Sequence, residues 1–187
     1  MRALSVLLSL AFYLGAAQAQ DIEDKAELCA GCHGADGVPS HEDMPIIWGQ
    51  QPGYLFAELR DFKSGARKDN TMSPIALGLE QADLMPLAQY FSQKTWPNPR
   101  QHPATSDVAA QAQRANTSFG CTGCHQETYK GDSTQPRLAG QNRDYLAKTM
   151  DDFRTGARGD NPGMTDLMKA TPEPDLAALA TYLAGLQ

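Results

Sequence analysis

The chain has 187 residues, room for one medium or two small domains, with a hydrophobic content of 41% and a net charge of −6. That acidic balance argues against nucleic acid as a partner and suits docking to a basic protein surface, although ordinary solubility needs it too. Beyond the N-terminus, no apolar stretch is long enough to cross a bilayer.

At the N-terminus, Arg2 precedes an apolar run from Ala3 to Ala17, and Ala17-Gln18-Ala19 has the small-x-small pattern of a signal-peptidase site. The run is shorter than the ~20 residues a membrane helix needs. It reads as a secretory signal over 1–19, cleaved near Ala19, with an uncleaved anchor as the alternative. No cysteine stands at the cleavage point, which argues against a lipid anchor. The mature chain is then expected outside the cytoplasm, in a bacterium the periplasm.

A short helix is expected over Ile22 to Ala30, leading into Cys29-Ala30-Gly31-Cys32-His33. The same pentapeptide pattern, C-x-x-C-H, returns as Cys121-Thr122-Gly123-Cys124-His125 after a helix expected over about Asp107 to Phe119. It is the attachment sequence for c-type haem: both thiols bond the porphyrin and the adjacent histidine ligates iron. A redox disulfide or a zinc site built from both pairs are the other readings. Neither requires a histidine after the second cysteine, and zinc would have to draw on segments some ninety residues apart. Two covalent haem c groups, attached at Cys29, Cys32, Cys121 and Cys124, are therefore expected.

Further along, helices are expected over Pro52 to Ser64 and Arg143 to Thr155, with Gly65 and Gly156 as C-caps. Tyr54, Leu55, Leu59 and Phe62 share one face of the first, and Tyr145, Leu146, Met150 and Phe153 one face of the second. Final helices are expected over Glu80 to Gln93 and Pro172 to Ala184, with Thr171 as N-cap of the latter. Pro86 should kink or delay its helix. Residues 95–106, from Thr95 onward rich in proline and polar side chains, read as a stiff linker, and His102 within it as a surface residue.

These pairs of helices reflect an internal repeat. Trp48 to Asn70 matches Ala139 to Asn161 at an offset of 91, and Leu84, Leu87, Ala88 and Tyr90 match Leu176, Leu179, Ala180 and Tyr182 at an offset of 92. The chain is a tandem duplication of one all-helical unit, 20–94 and 107–187.

The repeat also picks out the iron ligands. His33 and His125 are the proximal ligands, and no histidine follows His125 to complete a bis-histidine site. Met72 and Met164 each lie 39 residues after their histidine. Methionines usually fill cores, and Met85, Met150 and Met168, without methionine counterparts, read that way. The matched pair reads as the sixth ligands. His41 could compete for the first iron only by crossing to the opposite porphyrin face.

Pro45 lies four residues before Gly49, and Pro136 four before Gly140. With the haem motifs, this arrangement resembles class I cytochromes c. The resemblance implies that each proline carbonyl accepts from the axial histidine Nδ1–H, which fixes the ring and raises its basicity. Two such units in tandem, with the segment Leu138 to Leu146, the Gly-Ala-Arg runs at 65–67 and 156–158, and Asp69 to Ala76, resemble the dihaem cytochrome c4 family over essentially the whole mature chain. The family implies two domains about a pseudo-twofold axis, with haem propionates facing each other near the interface. Trp48, Leu79 and Pro86 depart from its pattern.

Iron with histidine and methionine on both sites has no open position for a substrate. The expected function is an electron carrier between a quinol-oxidising complex and a terminal oxidase or reductase, acting as a monomer through small, weak docking contacts and with loose membrane association left open. The rival is the electron-accepting dihaem subunit of a flavocytochrome c-type dehydrogenase. A dihaem peroxidase would need a five-coordinate iron, against which the two matched methionines argue. Arg67 and Arg158 read equally well as propionate contacts and as helix-end charges.

Overall fold

A computed structural model of the chain describes residues 21–187; the signal sequence expected over 1–19 lies outside the described residues. Among these residues the fold is all-helical, with one isolated bridge between Asp132 and Gln135. Helix α1 covers 21–33. It is followed by α2 (Pro52–Ser64), α3 (Met72–Gly78), a 3₁₀ turn (Gln81–Asp83) and α4 (Leu84–Ser92). The second half repeats the series as α5 (Ser106–Phe119), the short α6 (Thr122–His125), α7 (Arg143–Thr155), α8 (Pro162–Ala170) and α9 (Glu173–Ala184).

Local signals set most boundaries. Pro52 starts α2, where its missing N–H costs nothing, and Gly65 ends it at φ 80°. Gly156 ends α7 at φ 81°. In α7, Asp144 in the first turn and Arg154 in the last complement the helix dipole. Leu84, Leu87, Ala88 and Phe91 of α4 are buried, as are their counterparts Leu176, Leu179, Ala180 and Leu183 of α9. Burial of each leucine or phenylalanine contributes roughly 1.5–3 kcal/mol.

The packing is duplicated along with the sequence. α2 packs on α3 and α4, and α7 packs on α8 and α9. α5 lies against α9, while α1 reaches α4 through Ala26, which shares an apolar cluster with Leu87, Ala88 and Phe91. The cluster of the second half is more extensive: Ala112 and Ala115 of α5, Leu146, Met150 and Phe153 of α7 and Met168 of α8 join the buried face of α9.

Two expectations are corrected, the bounds of the helix at 80–93 and the cap at Thr171, while Pro86 delays its helix as expected. The helix expected over Glu80 to Gln93 is split, because Pro86 is accommodated only in a first turn. A 3₁₀ turn capped reciprocally by Glu80 and Asp83 comes first, and α4 begins two residues before the proline. Thr171 does not cap α9. Its hydroxyl donates to Leu167 O at 2.9 Å, so it closes α8, and Pro172 takes the position before α9. Helices α3 and α8 were not expected at all, and each carries one of the matched methionines.

Candidate haem-binding centres

In the first half, Cys29, Cys32 and His33 all lie on the last turns of α1. In the second, Gly120 in the left-handed region (φ 68°) ends α5, and Cys121, Cys124 and His125 form the next helical turn. A helical turn brings positions three apart onto one face, so each pair of thiols is presented together. No disulfide joins any of the four cysteines, and burial pushes the thiols of Cys29 and Cys121 up from their ordinary value.

His33 and His125 are buried. His33 Nδ1 stands 2.8 Å from Pro45 O, and His125 Nδ1 stands 3.1 Å from Pro136 O. A carbonyl only accepts, so Nδ1 carries the proton and Nε2 keeps its lone pair for a metal. Burial lowers both imidazole pKa values, partly offset by these hydrogen bonds, which favours the neutral ligating form. The bonds implied by the class I resemblance are thus present in both halves.

Met72 is the first residue of α3, and its N–H is capped by Asp69 Oδ1 at 2.9 Å. Met164 is the third residue of α8, capped in the same way by Asn161 Oδ1 at 3.1 Å. Both are half-buried. Met164 and Cys121 border the same apolar cluster. His41 and His102 are exposed on loops.

Between the halves lies a polar network of repeated contacts. Gln141 Oε1 accepts from Ile46 N at 2.8 Å while its Nε2 donates to Ile46 O at 3.0 Å. At the equivalent place, Gln50 Oε1 accepts from Arg137 N at 2.7 Å and its Nε2 donates to Arg137 O at 3.0 Å. Likewise Tyr54 N donates to Ser133 O (3.2 Å) and Tyr145 N to Glu42 O (3.3 Å). The stretch expected as a linker adds to this seam: Gln101 Nε2 donates to Gln141 O at 2.9 Å, and Trp96 lies under the guanidinium of Arg137.

Charge is gathered at the same seam. Arg67 and Arg158 both donate to the carboxylate of Glu58, and Arg158 also pairs with Asp160 at 2.8 Å. Each guanidinium lies over a phenylalanine of its own half, Arg67 on Phe62 and Arg158 on Phe153. Burial opposes both charges, but the carboxylate of Glu58 and, for Arg158, that of Asp160 outweigh it and hold both arginines above their ordinary pKa. Arg158 Nη1 is buried and has no hydrogen-bond partner among the described residues. A donor left in that position fits an additional carboxylate, such as a porphyrin propionate.

Sequence reasoning missed Glu58 and gave Gln50 and Gln141 no role. The glutamines left a trace, since the Gly-Gln pair recurs in the repeat; Glu58 left only an asymmetry, because its counterpart is Thr149.

Comparison with known proteins agrees with this architecture. Residues 109–187 match the Cytochrome c family. The chain is 34% identical to the cytochrome c4 of Azotobacter vinelandii over 182 residues, covering 88% of this chain and 87% of that protein. It is 29% identical to a thiosulfate dehydrogenase electron acceptor of Stutzerimonas stutzeri, covering 86% and 80%. The crystal structure of reduced recombinant cytochrome c4 from Pseudomonas stutzeri superposes with a TM-score of 0.80 at 30% identity, covering 90% of this chain and 98% of that one. With its all-helical class I cytochrome c fold and this likeness over most of its length, the chain belongs to the cytochrome c4 family of electron-transfer cytochromes.

Proposed function

We propose that the protein is a periplasmic dihaem electron carrier, each of its two units, 20–94 and 107–187, holding one haem c. The observation that carries this reading is the duplicated set of a buried histidine fixed by a proline carbonyl, adjacent cysteines, and a methionine at matched spacing. Cys29 and Cys32 would hold the first haem covalently, with His33 and Met72 on its iron; Cys121, Cys124, His125 and Met164 would serve the second. When bound, such a group supplies reversible one-electron Fe(III)/Fe(II) chemistry, and thioether ligation raises its potential.

The residues of the chain do the rest. Pro45 and Pro136 hold the imidazole rings in orientation. Asp69 and Asn161 cap the helices that carry Met72 and Met164, the side chains that would complete the iron's ligand set and leave no place for a substrate. Arg158, with its unpaired Nη1, would donate a hydrogen bond to a propionate at the seam between the halves. No helix among the described residues is long and apolar enough to cross a membrane, and the sequence over 1–19 reads as an export signal. The partners follow from the class: a quinol-oxidising complex as donor and a terminal oxidase or reductase as acceptor, visited by a monomer that binds weakly and leaves fast.

A pyridine haemochrome count combined with the far-red spectrum of the oxidised protein tests the proposal. Two haems per chain with the methionine–iron charge-transfer band at full strength support it; a half-strength band would overturn the ligand set. A second reading, the electron acceptor of a dehydrogenase, is favoured by the likeness to the Stutzerimonas stutzeri protein. Rapid reduction by a purified dehydrogenase, with none by a quinol-oxidising complex, would select it.

A further inference from the structure

We infer that Gln141 and Gln50 are positioning residues for the axial histidine of the opposite half, so that each half adjusts the iron site of the other. This rests on the ligand set proposed above.

The argument begins with one peptide group. Pro45 C=O and Ile46 N–H belong to the same planar amide, and the described chain contains no cis peptide, so the two groups point in opposite directions. On one side the carbonyl accepts from His33 Nδ1; on the other the N–H donates to Gln141 Oε1. The peptide between Pro136 and Arg137 is shared in the same way by His125 and Gln50. An amide whose N–H is engaged becomes a stronger acceptor at its oxygen, because consecutive hydrogen bonds polarise one another, and more so where water is excluded. Gln50 and Gln141 are 3% and 2% exposed, so water does not substitute for them.

Each glutamine also closes a ring. Its Nε2 donates to the carbonyl of the same residue whose N–H it accepts from, which pins that residue's backbone on both sides. Gln141 is held in turn: Oε1 takes a second bond from Asn142 N at 2.8 Å, and its own carbonyl accepts from Gln101 of the linking segment. Gln50 Oε1 likewise accepts from Gln51 N at 2.9 Å. The path runs from a side chain of one half, through a peptide of the other, to that half's axial imidazole. A stronger bond at Nδ1 makes the imidazole a better electron donor and favours the oxidised metal.

The consequence is a crossed dependence. Replacing Gln141 by leucine should raise the midpoint potential of the haem attached at Cys29 and Cys32 and leave the other unchanged. Gln50→Leu should do the reverse. Potentials are read from the haem methyl resonances of each site during a redox titration of the intact two-haem protein, and exchange of the His33 Nδ1–H with solvent should quicken about fivefold in Gln141→Leu. If Gln141→Leu does not fold with two haems, Gln141→Asn, one methylene too short to reach Ile46, takes its place with the same expectation. A shift at the haem of the substituted half, an equal shift at both, or no shift overturns the inference. The wild-type far-red band separates this from failure of the ligand set: if the band is incomplete the ligand reading fails, and if it is complete without a crossed shift only the glutamine assignment fails.

Discussion

Arg67 and Arg158 occupy the same place in the two repeats, yet both donate to one carboxylate, that of Glu58 in the first half. A pseudosymmetric pair of cations thus shares a single, asymmetric anion at the seam. The arrangement is costly to disturb: without Glu58, Arg67 loses its carboxylate and Arg158 keeps only Asp160.

Glu58→Gln should therefore destabilise the protein by about 3 kcal/mol, the usual cost of breaking a buried ion pair from one side. Urea denaturation of the holoprotein measures this. A loss below ~0.5 kcal/mol would show that the cluster behaves as a solvated surface pair.

Acid should weaken the fold below about pH 4. Burial alone would raise the Asp160 carboxyl, but its hydrogen bond and attraction to Arg158 hold it below the ordinary range; burial of Asp69 is likewise outweighed by the N–H groups of Met72 and Thr71. The folded pKa lies below the unfolded one in both cases. Their contribution is therefore complete above the unfolded value of ~3.9 and lost as pH falls through the folded values. The urea midpoint followed from pH 7 to pH 2 should show this decline, and Asp160→Asn should flatten part of it. A midpoint that rises on acidification would contradict the assignment.

Gln126 holds φ 64° and ψ 162°, a region open in practice to glycine alone, whereas the equivalent residue after the first haem motif is Gly34 at φ 87°. Gln126→Gly should stabilise the protein by about 1 kcal/mol, the relief of strain exceeding the added freedom of the unfolded chain. A lower melting temperature in this variant would count against it.

Removal of one of the proposed methionine ligands should affect one half only. Met164→Ala should abolish half of the far-red charge-transfer intensity, lower the potential of the haem attached at Cys121 and Cys124, and open that iron to cyanide, while the other site keeps its spectrum. Retention of the full band in Met164→Ala would show that another residue provides the sixth ligand.

Much of this was legible in the sequence because it is local or periodic. The bounds of α2 and α7 follow from an apolar face ended by glycine, and both haem motifs from fixed spacing. The bonds of Pro45 and Pro136 to the histidines became readable through likeness to class I cytochromes c. Helices α3 and α8 escaped notice because they are short and lack a long apolar stripe; their first turns are set by side-chain caps from Asp69 and Asn161. Thr171 misled because a threonine before proline is a good N-cap by type, while its hydroxyl found a closer acceptor in the preceding turn. The contacts of Gln50, Gln141 and Glu58 join positions some 90 to 100 residues apart, and no periodicity along the chain reports on such pairs.

The mirrored pairing of Gln50 with Arg137 and of Gln141 with Ile46 has the form of an isologous homodimer contact, in which one patch is its own complement. A surface of that kind needs only a single sequence to be complementary to itself. Joining the copies in one chain makes their pairing independent of concentration. It also releases each copy to diverge, and Glu58 opposite Thr149 marks a position where the two have parted: an anion that serves both partners has to be supplied only once.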